Sequence, residues 1–114
     1  MKKLKLLLPI LILLITLPLL SQDYHTIYEI QGQSSSSPYN GQVVRTSGIV
    51  TGVFSSGFFI EEKPGGEWRG IYVYTGSSPQ TARGDSVEVT GEVTEYFNTT
   101  EFTGNPTVNV LSSN

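Results

Sequence analysis

"GDSVEVTGEVTEYF", residues 84–97, alternates with a period of two. Val87, Val89, Val93 and Phe97 occupy one set of positions, and Ser86, Glu88, Thr90, Glu92, Thr94 and Tyr96 occupy the other. Strict alternation marks a strand with one face in a core and the other in water. Gly91 falls on the apolar set without breaking the count, and a glycine inside a strand marks a bulge or tight bend. The reading is therefore one long, bent strand, with Val87, Val89 and Val93 buried and Glu88 and Glu92 exposed. A one-residue slip would invert all of these assignments.

Working outward, the neighbouring stretches read as further strands. "GQVVRTSGIVTGVF" (41–54) is rich in Val and Thr, with Gly48 and Gly52 placed for bending. Ser55-Ser56-Gly57 turns the chain into the short strand "GFFIEE" (57–62) as a hairpin. "KPGGEW" (63–68) is a turn, "RGIYVYTG" (69–76) a third strand and "PTVNVL" (106–111) a fifth. The connection 77–84 is the one place where a helical turn is expected, since no segment after residue 21 carries a helical period. Five strands, the first and fourth long and bent, predict an all-β fold closed into a five-stranded Greek-key barrel of the OB-fold type, which leaves no exposed edges. A small β-sandwich is the alternative, although sandwiches usually need about seven strands.

Ahead of the strands, Lys2, Lys3 and Lys5 precede the apolar run "LLLPILILLITLPLL" (6–20). A basic start, an apolar run and a small residue at its end are the parts of a secretory signal peptide. Residues 1–21 are expected to be removed between Ser21 and Gln22, which implies a secreted or periplasmic product with no stable membrane insertion after cleavage. An uncleaved anchor is the rival reading. Pro9, Pro18 and a run shorter than the ~20 residues of a spanning helix argue against it. Residues 22–40, with Ser34 to Ser37 ahead of Pro38, read as a flexible lead-in, and 41–114 as the domain itself.

The chain from Gln22 onward keeps four basic residues (Arg45, Lys63, Arg69 and Arg83) against ten acidic ones, a net charge of −6. Such a domain lacks the basic field that drives non-specific nucleic-acid binding. With no Cys in the chain, the fold rests on its hydrophobic core rather than on disulfides.

The ordered series "IYEIQG", "SPYNGQVVRTSGIVTGVF", "GFFIEE", "GIYVYTG", "GDSVEVTGEVTEYFNTTE" and "VNVLSS" resembles the OB-fold domain near the N-terminus of secreted bacterial extracellular nucleases. In that family the domain precedes an endonuclease/exonuclease/phosphatase-type catalytic domain. The resemblance covers about Ile27 to Ser113 and implies an accessory module that contacts nucleic acid or supports a catalytic domain. The family's loop between the second and third strands is often longer and Asp-rich, whereas here it is "EKPGGEW", which weakens any metal-binding role for it.

Catalytic candidates are few. Glu61, Glu62 and Glu67 cluster at a turn without an accompanying His or Asn, and they read as solvated acids. His25, the lone histidine, has no evident partner for a triad. No Cys nucleophile or phosphate-cradling Gly-rich loop is present. No enzyme activity, metal or cofactor is therefore expected of this stretch by itself. Glu95, Thr100 and Glu101, in "EYFNTTE" (95–101), read as loop fasteners.

The aromatic residues carry more information. If Phe58, Ile60, Ile71 and Val73 fill the barrel, alternation puts Phe59, Tyr72 and Tyr74 outside, with Trp68 and Arg69 at the edge. That is the surface on which OB-folds receive single strands and sugars. Phe59, Tyr72, Tyr74, Trp68 and Arg69 are the candidate binding residues. Single-stranded nucleic acid, held weakly, or a nuclease catalytic domain is the expected partner. The alternative is a protein- or glycan-binding interaction domain of the cell envelope.

Overall fold

The computed structural model describes residues 22–113. The expected signal peptide lies outside the described residues. A short helix, α1 (Ile27–Gln31), precedes five strands: β1 (Val43–Phe54), β2 (Gly57–Glu61), β3 (Gly70–Tyr74), β4 (Ser86–Tyr96) and β5 (Thr99–Ser112). The strands form one sheet in the order β1-β2-β3-β5-β4, which closes on itself as a barrel. Every pairing is antiparallel except that of β3 with β5.

The alternation in β4 is the one read from the sequence. Val87, Val89 and Val93 are fully buried, and they join Val44, Val50, Phe58, Ile60, Ile71, Val73 and Phe102 in the core. Burying side chains of this size stabilises the fold by about 1.5–3 kcal/mol each. Glu92 is exposed as expected, but Glu88 is only partly so. Its carboxylate meets the Arg45 guanidinium at 3.0 Å across the β1–β4 ladder, which draws both side chains down onto the sheet.

Bends appear at the glycines. β1 pairs with β4 through its first half and with β2 through its second, and the ladder is irregular between Val50 and Gly52. At Gly48, a Cβ would lie 2.9 Å from the Glu61 carbonyl oxygen, so only glycine lets β1 cross the end of β2 so closely. Opposite Gly91, the β4–β5 ladder slips between Thr90 and Glu92. A side chain at Gly91 would press on Pro106 and Phe102, which fill its place on the inner face.

Three expectations are corrected. Residues 77–84 form no helical turn. That connection is instead held by Asp85, whose Oδ2 accepts from the Thr81 hydroxyl and the Ala82 N–H, both at 2.9 Å. These hydrogen bonds, the backbone one first, hold the Asp85 carboxyl below the usual aspartate range. The helix lies at 27–31, where Thr26 and Glu29 form a reciprocal capping box and Gly32, in the left-handed region, ends the helix. A Thr-x-x-Glu signature was present in the sequence, but one helical turn is too short to establish a period.

The second correction concerns the lead-in, which is not a free tether. Ile27 and Ile30 are fully buried in the core, and α1 covers one end of the barrel. Ser37, also buried, donates its N–H to Glu95 (2.9 Å) and its hydroxyl to the Ile30 carbonyl, and it accepts from the Tyr39 N–H. Glu95 in turn accepts from the Thr100 hydroxyl. Glu62, read as a solvated acid, accepts the Tyr28 N–H and fastens the helix. The physical reason is that the barrel end would otherwise leave part of the core open to water.

The third correction is that β5 begins at Thr99 rather than at 106. Phe97 and Asn98, both with positive φ, form a two-residue turn between Tyr96 and Thr99. Two left-handed residues in a hairpin are the type I′ pattern, normally signalled by Asn-Gly or Asp-Gly. "FN" lacks that signal.

Two tests follow from the core. Val89→Asp would bury an unpaired carboxylate, a cost of several kcal/mol against a total stability of about 5–15 kcal/mol, and should abolish cooperative unfolding in denaturant. Thr46 is fully buried on the inner side of β1, and its hydroxyl has no partner among the described residues. Thr46→Val, nearly the same shape, should therefore raise the free energy of unfolding by about 1 kcal/mol, read from denaturant titration. A loss of stability would show that the hydroxyl has a partner.

Candidate ligand-binding face

The outer surface of β2 and β3 is built by the same alternation that fills the core. Phe58, Ile60, Ile71 and Val73 are buried, so Phe59, Tyr72 and Tyr74 face outward. Phe59 pairs directly with Tyr72 across the ladder, and their rings lie 4.9 Å apart, tilted at 55°. Phe54 meets Phe59 edge-on at 5.9 Å, extending the row of rings to the end of β1. Tyr72 is half-buried because its ring lies over Gly57, where a Cβ would collide with the phenol oxygen.

A groove of about 410 Å³ runs over this surface. Phe59, Trp68 and Tyr72 supply its rings, while Gln31, Ser34 and Asn98 are among its polar borders. The structure thus brings together three of the five sequence-predicted residues. Tyr74 lies in a separate cleft with Tyr96 and Glu101. Arg69 does not line the groove; its guanidinium stacks over the Tyr28 ring, 4.4 Å from the centroid. The polar borders were missed because they belong to the lead-in and to a loop whose place is decided only by folding.

Both margins of the groove carry backbone that side chains rarely adopt. Trp68 has φ +67° in the turn before β3, and Asn98 has φ +64° in the β4–β5 turn, next to Phe97 at +46°. For a bulky residue the left-handed region costs on the order of 1–3 kcal/mol, and such outliers concentrate at binding and active sites. Phe97 is also 84 % exposed, so its ring recovers little of that cost by burial.

Charge is sparse on this face and negative where it occurs. Among the described residues no Lys or Arg lines the groove. Glu101, on β5 beside Tyr72, is 7 % exposed, and burial pushes its carboxyl above the ordinary value of 4.5. Unlike Glu95 and Thr100, it fastens nothing: no described residue hydrogen-bonds or ion-pairs with it. Among the described residues no three His, Cys, Asp or Glu side chains stand close enough to hold a metal ion.

No protein-family model and no curated protein matches the chain.

The raised Glu101 pKa predicts a pH-dependent stability. Folding favours the protonated carboxyl, so this stabilisation is complete below the unfolded value of 4.5 and is lost as pH rises through the folded pKa. Glu101→Gln should accordingly be more stable than the wild type at neutral pH. The gap should close in acid, as thermal melts across the pH range would show. A variant less stable at neutral pH would indicate that the carboxylate is paired.

Proposed function

We propose that this protein is an exported, non-catalytic OB-fold module whose β2–β3 face binds an extended, ring-bearing ligand by stacking. The observation that carries the reading is the position of the groove. It lies on the face of the second and third strands and is bounded by the turn between the fourth and fifth, the region where OB-folds take oligonucleotides and oligosaccharides. Support for the OB-fold plan comes from the five-stranded closed sheet, its long bent first strand and its single parallel β3–β5 pair. The resemblance to accessory domains of extracellular nucleases favours single-stranded nucleic acid as the ligand, or a role in supporting a nuclease domain.

In this reading bases stack on Phe59, Trp68 and Tyr72, while phosphates stay in solvent, away from the acidic surface. Affinity is weak and owes more to rings than to charge. A neutral glycan is the second reading. It is favoured by one observation: among the described residues no cation lines the groove, and its polar borders are uncharged amides and hydroxyls.

Fluorescence anisotropy with a labelled oligothymidylate, over a salt series, tests the proposal. Binding with a shallow salt slope is expected, because few phosphates are neutralised. Phe59→Ala and Trp68→Ala should each weaken it by about tenfold, within the ~1–3 kcal/mol of a base–ring stack. Tyr74→Ala should leave it unchanged. Absence of binding at low salt would reject the nucleic-acid ligand, and salt-independent binding of a neutral oligosaccharide in its place would establish the second reading. Cleavage of DNA by the protein alone would overturn the module's non-catalytic role.

A further inference from the structure

Beyond the groove, β3, β4 and β5 together shape a second cleft of about 310 Å³, lined by Tyr74, Tyr96, Glu101, Thr103 and Gly104. We propose that this cleft is a binding site for an organic cation, an alkylammonium or guanidinium group held between the tyrosines against the Glu101 carboxylate. It is distinct from the stacking groove and does not depend on what that groove binds.

The case begins with an unpartnered charge. Glu101 projects from β5 on the outer side, opposite Thr94 on β4 and beside Tyr72 on β3, while its neighbour Phe102 fills the core. The residue is 7 % exposed, and no described residue donates to its carboxylate, which meets the outside only at the cleft. Partial burial makes its charge costlier than in water, and a cation in the cleft would offset that cost. None of the described residues supplies that cation. Arg45 is engaged by Glu88, Arg69 stacks on Tyr28, and no described Lys or Arg lines the cleft.

The remaining walls suit a cation and little else. Tyr74 and Tyr96 are 45 % and 58 % exposed, so their rings remain open to a ligand. An ammonium or guanidinium over a phenol ring is attracted by the negative face of its π-system, and more strongly where water is excluded. The Thr103 hydroxyl is already shared with that of Thr94 at 2.6 Å, leaving the carboxylate as the group that decides recognition. Glu92 lies against Gly104 and adds a second negative charge near the rim. An anion would be repelled. A hard metal ion would find at most two carboxylates, Glu101 and Glu92 at the rim, where it needs six or so oxygen ligands. At about 310 Å³ the cleft accommodates a side-chain-sized group rather than a polymer.

Burial raises the Glu101 pKa in the free protein, and a bound cation would lower it again. Binding must therefore weaken as pH falls through that pKa. This linkage supplies a readout that a purely structural glutamate would not show.

The test uses the protein expressed from the full-length chain, with carboxyl carbons and tyrosine rings followed by NMR. n-Butylammonium and N-acetyl-lysine methylamide are titrated in separate arms, with potassium chloride as the control for ionic strength. Saturable shifts at Glu101, Tyr74 and Tyr96 are expected, with dissociation constants on the order of millimolar, and the Glu101 pKa should fall on binding. Glu101→Gln, which preserves shape, should weaken binding by at least about tenfold, and Tyr96→Leu by several-fold. Tyr96 is the preferred ring variant because it is the more exposed of the two. Equal affinity in the two arms assigns recognition to the ammonium of any small amine, and tighter binding of the lysine derivative assigns it to a polypeptide side chain. Shifts reproduced by potassium chloride, or unchanged binding by a folded Glu101→Gln variant, would overturn the proposal.

Discussion

Two residue pairs close this barrel. Tyr72 with Glu101 and Val73 with Phe102 form the parallel contact between β3 and β5, and the rest of the sheet is antiparallel. Without that contact the sheet would be an open ribbon with β3 and β5 as bare edges, which are templates for pairing with other chains. The contact requires β5 to start early, at Thr99, so that its first residues reach β3 before the strand bends away along β4. The turn at Phe97 and Asn98 makes that early start possible, at the cost of two positive φ angles. Phe102 stands at the junction, paired with Val73 on one side and Val93 on the other, and fully buried.

Closure also decides the outer surface. Because Val73 and Phe102 point inward, Tyr72 and Glu101 must point outward side by side, so the outer face of β2 and β3 continues onto β5 with a carboxylate next to the rings. The groove and the acidic cleft are thus two parts of one sheet face, separated by the strand pairing that seals the core. The same β4–β5 turn borders the groove through Asn98 and places Tyr96 in the cleft. Strain at this turn is therefore shared by every feature that could recognise a ligand, in keeping with the tendency of backbone outliers to gather at such places.

The two features differ in their electrostatics. The groove presents rings with neutral hydrogen-bonding groups, which suit recognition by shape and stacking. The cleft presents a partly buried carboxylate, which suits recognition by charge. An overall excess of acidic residues keeps polyanions at a distance unless their bases or sugars meet the rings. It also draws cations toward the face on which Glu101 lies.

By itself the sequence determined the strand count, the inner and outer faces of β2, β3 and β4, and the outward direction of Phe59, Tyr72 and Tyr74. All of these follow from a period of two, which each strand carries locally and which survives whatever the strand pairs with. Glycines at 48, 52 and 91 were legible as bends because a glycine inside a strand marks one wherever the strand pairs. Only the tertiary structure decided the rest. Ile27 and Ile30 enter the core because a barrel end needs covering, a demand that no local pattern near them expresses. The hairpin at Phe97-Asn98 lacks a turn signature, and it is maintained by the long β4–β5 ladder around it. The groove draws Gln31, Ser34 and Asn98 from segments far apart in the chain, and Arg69 is withdrawn from it by Tyr28, which lies on a helix with no readable period. Glu101 looked like a loop fastener beside Glu95 and Thr100. Its isolation between two tyrosines arises because β3 and β5 meet there, and that meeting is a property of the closed sheet.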